Sequence, residues 1–130
     1  MNQQSEAAPE GAAPTHAPNC LVTEQWVDRT AVVSASGDVD MLSAPALEES
    51  IRTALRKDPA ALVVDFSAVE FLASAGMGVL VAVHDEVTPN VSFCVVADGP
   101  ATSRPLKLVG IADIVRVYPT LDEALAALNA

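Results

Sequence analysis

Aromatic side chains are scarce in this chain. Among 130 residues there are five, Trp26, Phe66, Phe71, Phe93 and Tyr118, so a core has to be built from Val, Leu, Ile and Ala. Positive charge is scarce as well: seven Lys and Arg stand against 17 Asp and Glu, a net charge of −10. So acidic a chain repels phosphate backbones and anionic lipid, which argues against direct nucleic-acid contact and polybasic membrane binding and favours a basic protein partner. Cysteine is limited to Cys20 and Cys94, with no CxxC spacing. Zinc and thioredoxin-like chemistry are thereby excluded, and two free thiols are expected in a reducing compartment. No uninterrupted apolar run approaches the ~18 residues of a membrane span. Residues 1–18 lack the basic, apolar and small-residue series of a signal peptide, so the chain reads as cytoplasmic.

What is present suffices for one compact domain, because 51% of residues are hydrophobic and 18% charged. The composition breaks near Asn19. Residues 1–18 contain Pro9, Pro14 and Pro18 but no Val, Leu or Ile, and are expected to form a disordered tail ahead of a domain at 19–130. From Cys20 onward, short β-branched runs alternate with amphipathic stretches. Residues 20–27 and 31–36, split by Asp28-Arg29-Thr30, predict an antiparallel hairpin. The runs at 61–66, 91–97 and 114–118 are nearly continuous in hydrophobicity, as strands covered on both faces require. Between them lie predicted helices. One starts at Ser43 as N-cap, with Leu47, Ile51, Ala54 and Leu55 on one stripe. A second runs from Ser74 to about Val87 and is apolar nearly all round, which predicts deep burial. A short third spans 102–109 before Gly110, and Thr120 and Glu123 form a capping box for the last. The order β-β-α-β-α-β-α-β-α predicts an α/β fold, a mostly parallel sheet with one antiparallel edge hairpin flanked by about four helices.

Candidate chemistry concentrates in residues 65–80, where a strand ends and Ser74 stands at the mouth of a helix. A nucleophile elbow is excluded because Leu72 occupies the place of its first glycine. His84 also lies ten residues further along the same helix, about 15 Å from Ser74 at 1.5 Å per residue. Gly76-x-Gly78 resembles part of a dinucleotide loop, but Val81 stands at the third glycine position and no acidic residue follows at the required spacing. Close packing of the helix start is the simpler reading of these glycines. The remaining reading is a hydroxyl that caps its helix and is shown to a partner. Phosphorylation there adds about −1.5 to −2 charges at a spot the helix dipole tolerates, so docking changes while the fold survives. A second loop, Gly37-Asp38-Val39-Asp40, ends the preceding strand on the same sheet edge. Two solvated turn aspartates are an equally good reading of Asp38 and Asp40, and no third ligand stands near enough in sequence to make a metal site.

Gly37-Asp38-Val39-Asp40 followed by Ser43-Ala44-Pro45-Ala46-Leu47, then the 65–80 stretch, closing with Leu106-Lys107-Leu108-Val109-Gly110-Ile111 and a helix containing Glu123-Ala124-Leu125, resembles the STAS-domain proteins. Among these the likeness is to the bacterial anti-sigma factor antagonists, over about residues 20–129. The resemblance implies the STAS fold and a non-enzymatic partner switch without cofactor. The unmodified protein binds an anti-sigma factor, often an ATP-dependent serine kinase, and so frees a sigma factor for transcription, as in stress responses. The kinase phosphorylates the protein and a phosphatase resets it. The family motif reads Asp-Ser-Ser/Thr-Gly, in which the first serine is the phosphoacceptor. Ser74 matches that serine and Gly76 the glycine, while Ala73 replaces the Asp and Ala75 the second hydroxyl residue. Asp38 matches an acidic position used at the partner interface. The implied partner-binding set is therefore Asp38, Asp40, Ser43, Ala73, Ser74, Ala75, Gly76 and Met77. Two alternatives stand beside this reading: a STAS subunit of a transporter complex, and an antagonist controlled by the redox state of Cys20 and Cys94.

Overall fold

The structure, a computed structural model, describes residues 15–17 and 19–128. Its elements are β1 (Thr15–Ala17), β2 (Cys20–Val27), β3 (Thr30–Val39), α1 (Ala44–Leu55), β4 (Ala61–Leu72), α2 (Ser74–Val87), β5 (Ser92–Val96), α3 (Ser103–Leu108), a 3-10 turn (Ile111–Asp113), β6 (Arg116–Tyr118) and α4 (Leu121–Leu128). Among the described residues the strands form one sheet whose spatial order equals the chain order, β1 to β6. β1–β2 and β2–β3 are antiparallel, and the three remaining pairs are parallel.

The predicted hairpin is β2–β3, turning at Asp28, whose φ of 54° accommodates the tight reversal. β1 adds a strand outside it. Thr15–Ala17 were expected within the tail, and they pair with Cys20–Val22 instead, because strand pairing recruits backbone groups and needs no apolar run. The rest of the expected tail, residues 1–14 and 18, lies outside the described residues.

Two parallel crossovers, β3–α1–β4 and β4–α2–β5, advance in the same direction across the sheet. Right-handedness then places both helices on one face. The larger core lies there, with Leu62, Val64 and Phe66 of β4 packed with Leu47 and Ile51 of α1, Leu80 and Val83 of α2, and Leu106 of α3. Alternate strand residues, Val32, Val63, Cys94 and Val96, point to the opposite face and meet Ala124 of α4, flanked by Leu121, Leu125 and Leu128. As the continuous hydrophobicity of these strands required, β4 and β5 are covered on both faces. The predicted capping box is seen in part, with the Glu123 amide donating to Thr120 Oγ1 at 3.1 Å.

Three details depart from expectation. β4 runs on to Leu72, six residues past the predicted end, because Ser36–Val39 of β3 continue to pair with it across two register shifts. That extension carries the chain out to the edge where α2 starts. α2 is not buried all round: Gly78, Ala82, Asp85 and Glu86 are exposed, so small residues and, in the last turn, acids make up its outward face. Ser43 does not cap α1 with its side chain, for reasons given below.

Gly76 and Gly78 separate cleanly. A Cβ on Gly76 would lie 2.5 Å from Val39 Cγ1 and 2.9 Å from Leu72 Cδ1, whereas one on Gly78 meets nothing within 4 Å. Gly76 is therefore the close approach that lets α2 sit against the ends of β3 and β4. Gly76→Ala is expected to lower stability by about 1–2 kcal/mol through overpacking, and Gly78→Ala to raise it by up to about 1 kcal/mol through helix propensity. Urea denaturation of the two variants checks the contrast. Equal effects would contradict it.

Candidate functional site

At the carboxyl edge of the parallel strands, β3 and β4 end side by side. Asp38 is the register partner of Phe71 and Val39 of Leu72, and the Ala73 amide donates to the Val39 carbonyl at 2.8 Å. The chain then enters α2 with Ala73 at the N-cap position. Ser74 is the first helical residue and is exposed. Its hydroxyl caps nothing, contrary to the capping expectation, because the capping place falls to Ala73, and it has no hydrogen-bond partner among the described residues. A free, exposed hydroxyl thus stands at a helix N-terminus, where the first-turn amides lack helical partners and favour negative charge.

The β3–α1 loop forms the other half of the edge. Gly37, at φ 92°, turns the strand so that Asp38 N donates to the Asn19 carbonyl at 2.8 Å. The two aspartates then divide their roles. Asp40 is consumed by the turn, with its Oδ1 accepting from the amides of Leu42 at 3.0 Å and Ser43 at 3.1 Å. The Asp38 carboxylate, half-buried, has no hydrogen-bond partner among the described residues. Ser43 is fully buried. Its Oγ donates to the Asp38 carbonyl at 2.8 Å and accepts from Asp40 N at 2.9 Å. The side chain predicted to cap α1 instead ties the loop to itself, and Pro45, in the first turn of α1, has no amide hydrogen for it to cap.

Of the eight residues in the implied partner-binding set, Asp38, Asp40, Ala73, Ser74 and Ala75 reach the surface at least in part, while Ser43, Gly76 and Met77 are buried. Those three can shape the edge but cannot touch a partner without rearrangement. Residues outside the set complete it. Met41 is 76% exposed, Leu42 70% and Phe71 54%, with Glu70 exposed beside Phe71. An exposed Met-Leu pair inside an acidic loop is the available sequence signal for the first two. Phe71 carried none, because its outward direction depends on how far β4 continues.

The cysteines are far apart. Cys20 belongs to the core on the α1–α2 face and Cys94 to the cluster beneath α4. They lie on opposite faces, three strands apart, or about 14 Å at the usual strand spacing. A disulfide needs Cα atoms within about 7 Å, so an intramolecular bridge is overturned as a control device. Both thiols are buried and free. Burial pushes the Cys94 thiol up to about 11, and burial likewise raises Cys20, against a hydrogen bond with Ser43 that lowers it. Neither is a ready thiolate. Native protein at pH 8 is expected to resist a thiol reagent at both positions, with two equivalents reacting in denaturant. A fast-reacting native thiol would contradict the burial. Because the folded Cys94 value lies above the ordinary 9.0, its contribution to stability is intact below pH 9 and is lost as pH rises from 9 towards 11.

Among the described residues no group of three or more His, Cys, Asp or Glu could hold a metal ion, and no helix is long and apolar enough to cross a membrane. His84 packs its ring 6.4 Å from that of Phe93, ten residues along α2 from Ser74.

Residues 23–124 match the STAS domain family. The anti-sigma-F factor antagonist RsfB of Mycobacterium tuberculosis is 43% identical over 99 residues, covering 76% of this chain and 81% of that protein. A crystal structure of an anti-sigma factor antagonist from Mycobacterium paratuberculosis superposes with a TM-score of 0.83 at 40% identity, over 95% of this chain and 99% of the other. The unphosphorylated form of the anti-sigma factor antagonist SpoIIAA shares the fold at a TM-score of 0.68 and 18% identity, over 83% and 96% of the two chains. With the parallel sheet, the paired strand ends and the serine at the start of α2 in place, this chain belongs to the STAS-domain family of anti-sigma factor antagonists.

Proposed function

We propose that this chain binds an anti-sigma factor through the edge formed by Asp38, Met41, Leu42, Phe71 and Ser74, thereby releasing a sigma factor, and that phosphorylation of Ser74 switches it off. The observation that carries this reading is a free serine hydroxyl within an exposed apolar rim, three residues from Phe71, the register partner of Asp38. Met41, Leu42 and Phe71 supply the apolar surface that a protein interface buries at its centre. Asp38 and Glu70 supply acidic groups for a basic partner. The likeness to RsfB, an anti-sigma-F factor antagonist, supports the choice of partner.

The switch follows from charge. The Ser74 Oγ attacks the terminal phosphorus of ATP held by a kinase, ADP leaves, and the hydroxyl proton passes to a base of that kinase. The product carries about 1.5 to 2 negative charges at pH 7, four residues from Glu70 and three from Phe71, the register partner of Asp38. The α2 N-terminus accommodates them, whereas a partner surface fitted to a neutral serine has to desolvate them. Ala75 leaves Ser74 as the single hydroxyl of the motif. Ala73 removes the acidic residue usual before it, so kinase recognition rests on the surrounding edge. A phosphatase resets the cycle.

The test is paired capture of the anti-sigma factor from native lysate by wild type and Ser74→Glu, with captured proteins identified by mass spectrometry. Capture by wild type alone supports both parts. Equal capture by both baits keeps the binding role and removes the Ser74 switch. Recovery of an ATP-binding transporter subunit in its place overturns the reading.

A further inference from the structure

Two acids are buried among the described residues, Glu24 and Asp65, each 8% exposed. A carboxylate taken out of water is costly unless donors replace its lost hydration. Glu24 has them: its Oε2 accepts from Trp26 Nε1 at 2.6 Å and from Lys57 Nζ at 2.7 Å. Asp65 is served on one side only. Its Oδ1 accepts from the Ser67 amide at 2.9 Å, and its Oδ2 has no partner among the described residues. Side chains alternate along β4, so with Leu62, Val64 and Phe66 in the core beneath α1 and α2, Asp65 points to the opposite face. There α4 packs against β4, β5 and β6. The β2 side of that face stays open, with Leu21, Gln25 and Val27 exposed. Thr23, Ser34 and Asp65 are register partners in a row across β2, β3 and β4. Together with Ser36, Ser67 and the side of Leu21 they line a cavity of about 130 Å³. None of its four hydroxyls makes a hydrogen bond among the described residues.

We infer that this cavity binds a primary ammonium group, carried by a lysine side chain or by a small free amine. A carboxylate oxygen only accepts, so the occupant has to donate, and an ammonium brings three donors to Oδ2 and the surrounding hydroxyl oxygens. A guanidinium fits less well, because its fork binds both oxygens of a carboxylate and the Ser67 amide already holds one. A hard divalent cation gathers about six or more oxygen ligands, with carboxylates prominent among them, and Asp65 is the one carboxylate lining the cavity. The volume suits a small cationic head with its alkyl stem along Leu21, and is well short of what a nucleotide-sized ligand needs. Asp65 lies seven residues before the end of β4 at Leu72. The inference does not rest on the role proposed for Ser74.

The probe is n-butylammonium chloride, titrated into the 15N-labelled full chain at pH 7, where a primary amine is protonated. Tetramethylammonium chloride, a cation without N–H donors, is exchanged out to hold the ionic strength. Saturable amide shifts confined to Thr23, Ser34, Ser36 and residues 65–68 are expected at millimolar concentration. Asp65→Asn keeps the shape, removes the charge and is expected to weaken binding at least about tenfold. Ser34→Leu fills the cavity with Asp65 in place and is expected to abolish the shifts, which keeps the test decisive even if Asp65→Asn does not fold. The peptide Gly-Lys-Gly, blocked at both ends, separates the two sources, and either result supports the site. The same shifts with it identify a lysine side chain as the occupant, whereas shifts with butylammonium alone identify a free amine, since a peptide backbone then cannot approach the sheet. No saturable shift, shifts spread over the acidic surface, undiminished binding by either variant, or stronger competing shifts of the same amides with calcium chloride would overturn the inference.

Discussion

Ser74→Glu is expected to weaken binding of the anti-sigma factor by about a hundredfold, roughly 3 kcal/mol, while leaving the melting temperature nearly unchanged. The loss comes from placing a carboxylate at a contact built around a neutral hydroxyl. Asp38 and Glu70 are already negative nearby, and a buried charge without a cation opposite costs about 2–5 kcal/mol at an interface. The fold is spared because Ser74 is exposed and makes no hydrogen bond that the substitution removes. A negative group at the first residue of α2 also interacts favourably with the helix dipole, by about 0.3–1 kcal/mol. Ser74→Ala keeps the neutral surface and is expected to bind like wild type while accepting no phosphate. Calorimetric titration of the three proteins against the purified anti-sigma factor, with thermal melts in parallel, separates the cases. If Ser74→Glu binds within threefold of wild type, charge at this position is not the switch. If it melts far lower, lost binding reflects unfolding instead.

The largest effect on stability is expected at Gly37. Its φ of 92° is open to glycine at little cost, and an added Cβ would stand 2.1 Å from the Asn19 carbonyl oxygen. The obstacle is backbone, held in place because the same carbonyl accepts the Asp38 amide. Gly37→Ala therefore combines an unfavourable dihedral with a steric overlap that no rotamer change relieves. A loss of about 3 kcal/mol follows, a large share of the 5–15 kcal/mol typical of a domain, with a fall in melting temperature of about 10 °C. Partner binding should weaken too, since Gly37 sets the direction in which the Asp38–Leu42 loop leaves β3. Denaturation and binding measured on one preparation check both consequences. A variant melting within 2 °C of wild type would show that Asn19 yields.

Much of this molecule follows from the sequence by local rules. Apolar periodicity located α1 and α4, because a helix buries one stripe wherever it lands. Continuous β-branched runs located β4 and β5, because strands covered on both faces have no outward side to keep polar. The alternation of strands and helices implied parallel crossovers, and the motif around Ser74 pointed to the edge through which we propose that a partner binds. Tertiary structure alone decided how that edge is built. Asp38 and Asp40 look equivalent in the chain, yet the turn consumes one and leaves the other free. Ser43 has the composition of an N-cap, yet it is buried as the tie within the loop. Gly76 and Gly78 read as a pair, and only Gly76 approaches a neighbour. Phe71 reaches the surface of that edge because β4 outran its apolar pattern while β3 kept pairing with it. Cys20 and Cys94, interchangeable in the sequence, lie on opposite faces of the sheet. In each case the deciding contact comes from a segment distant in the chain or from a hydrogen bond chosen among close competitors, and local sequence encodes neither.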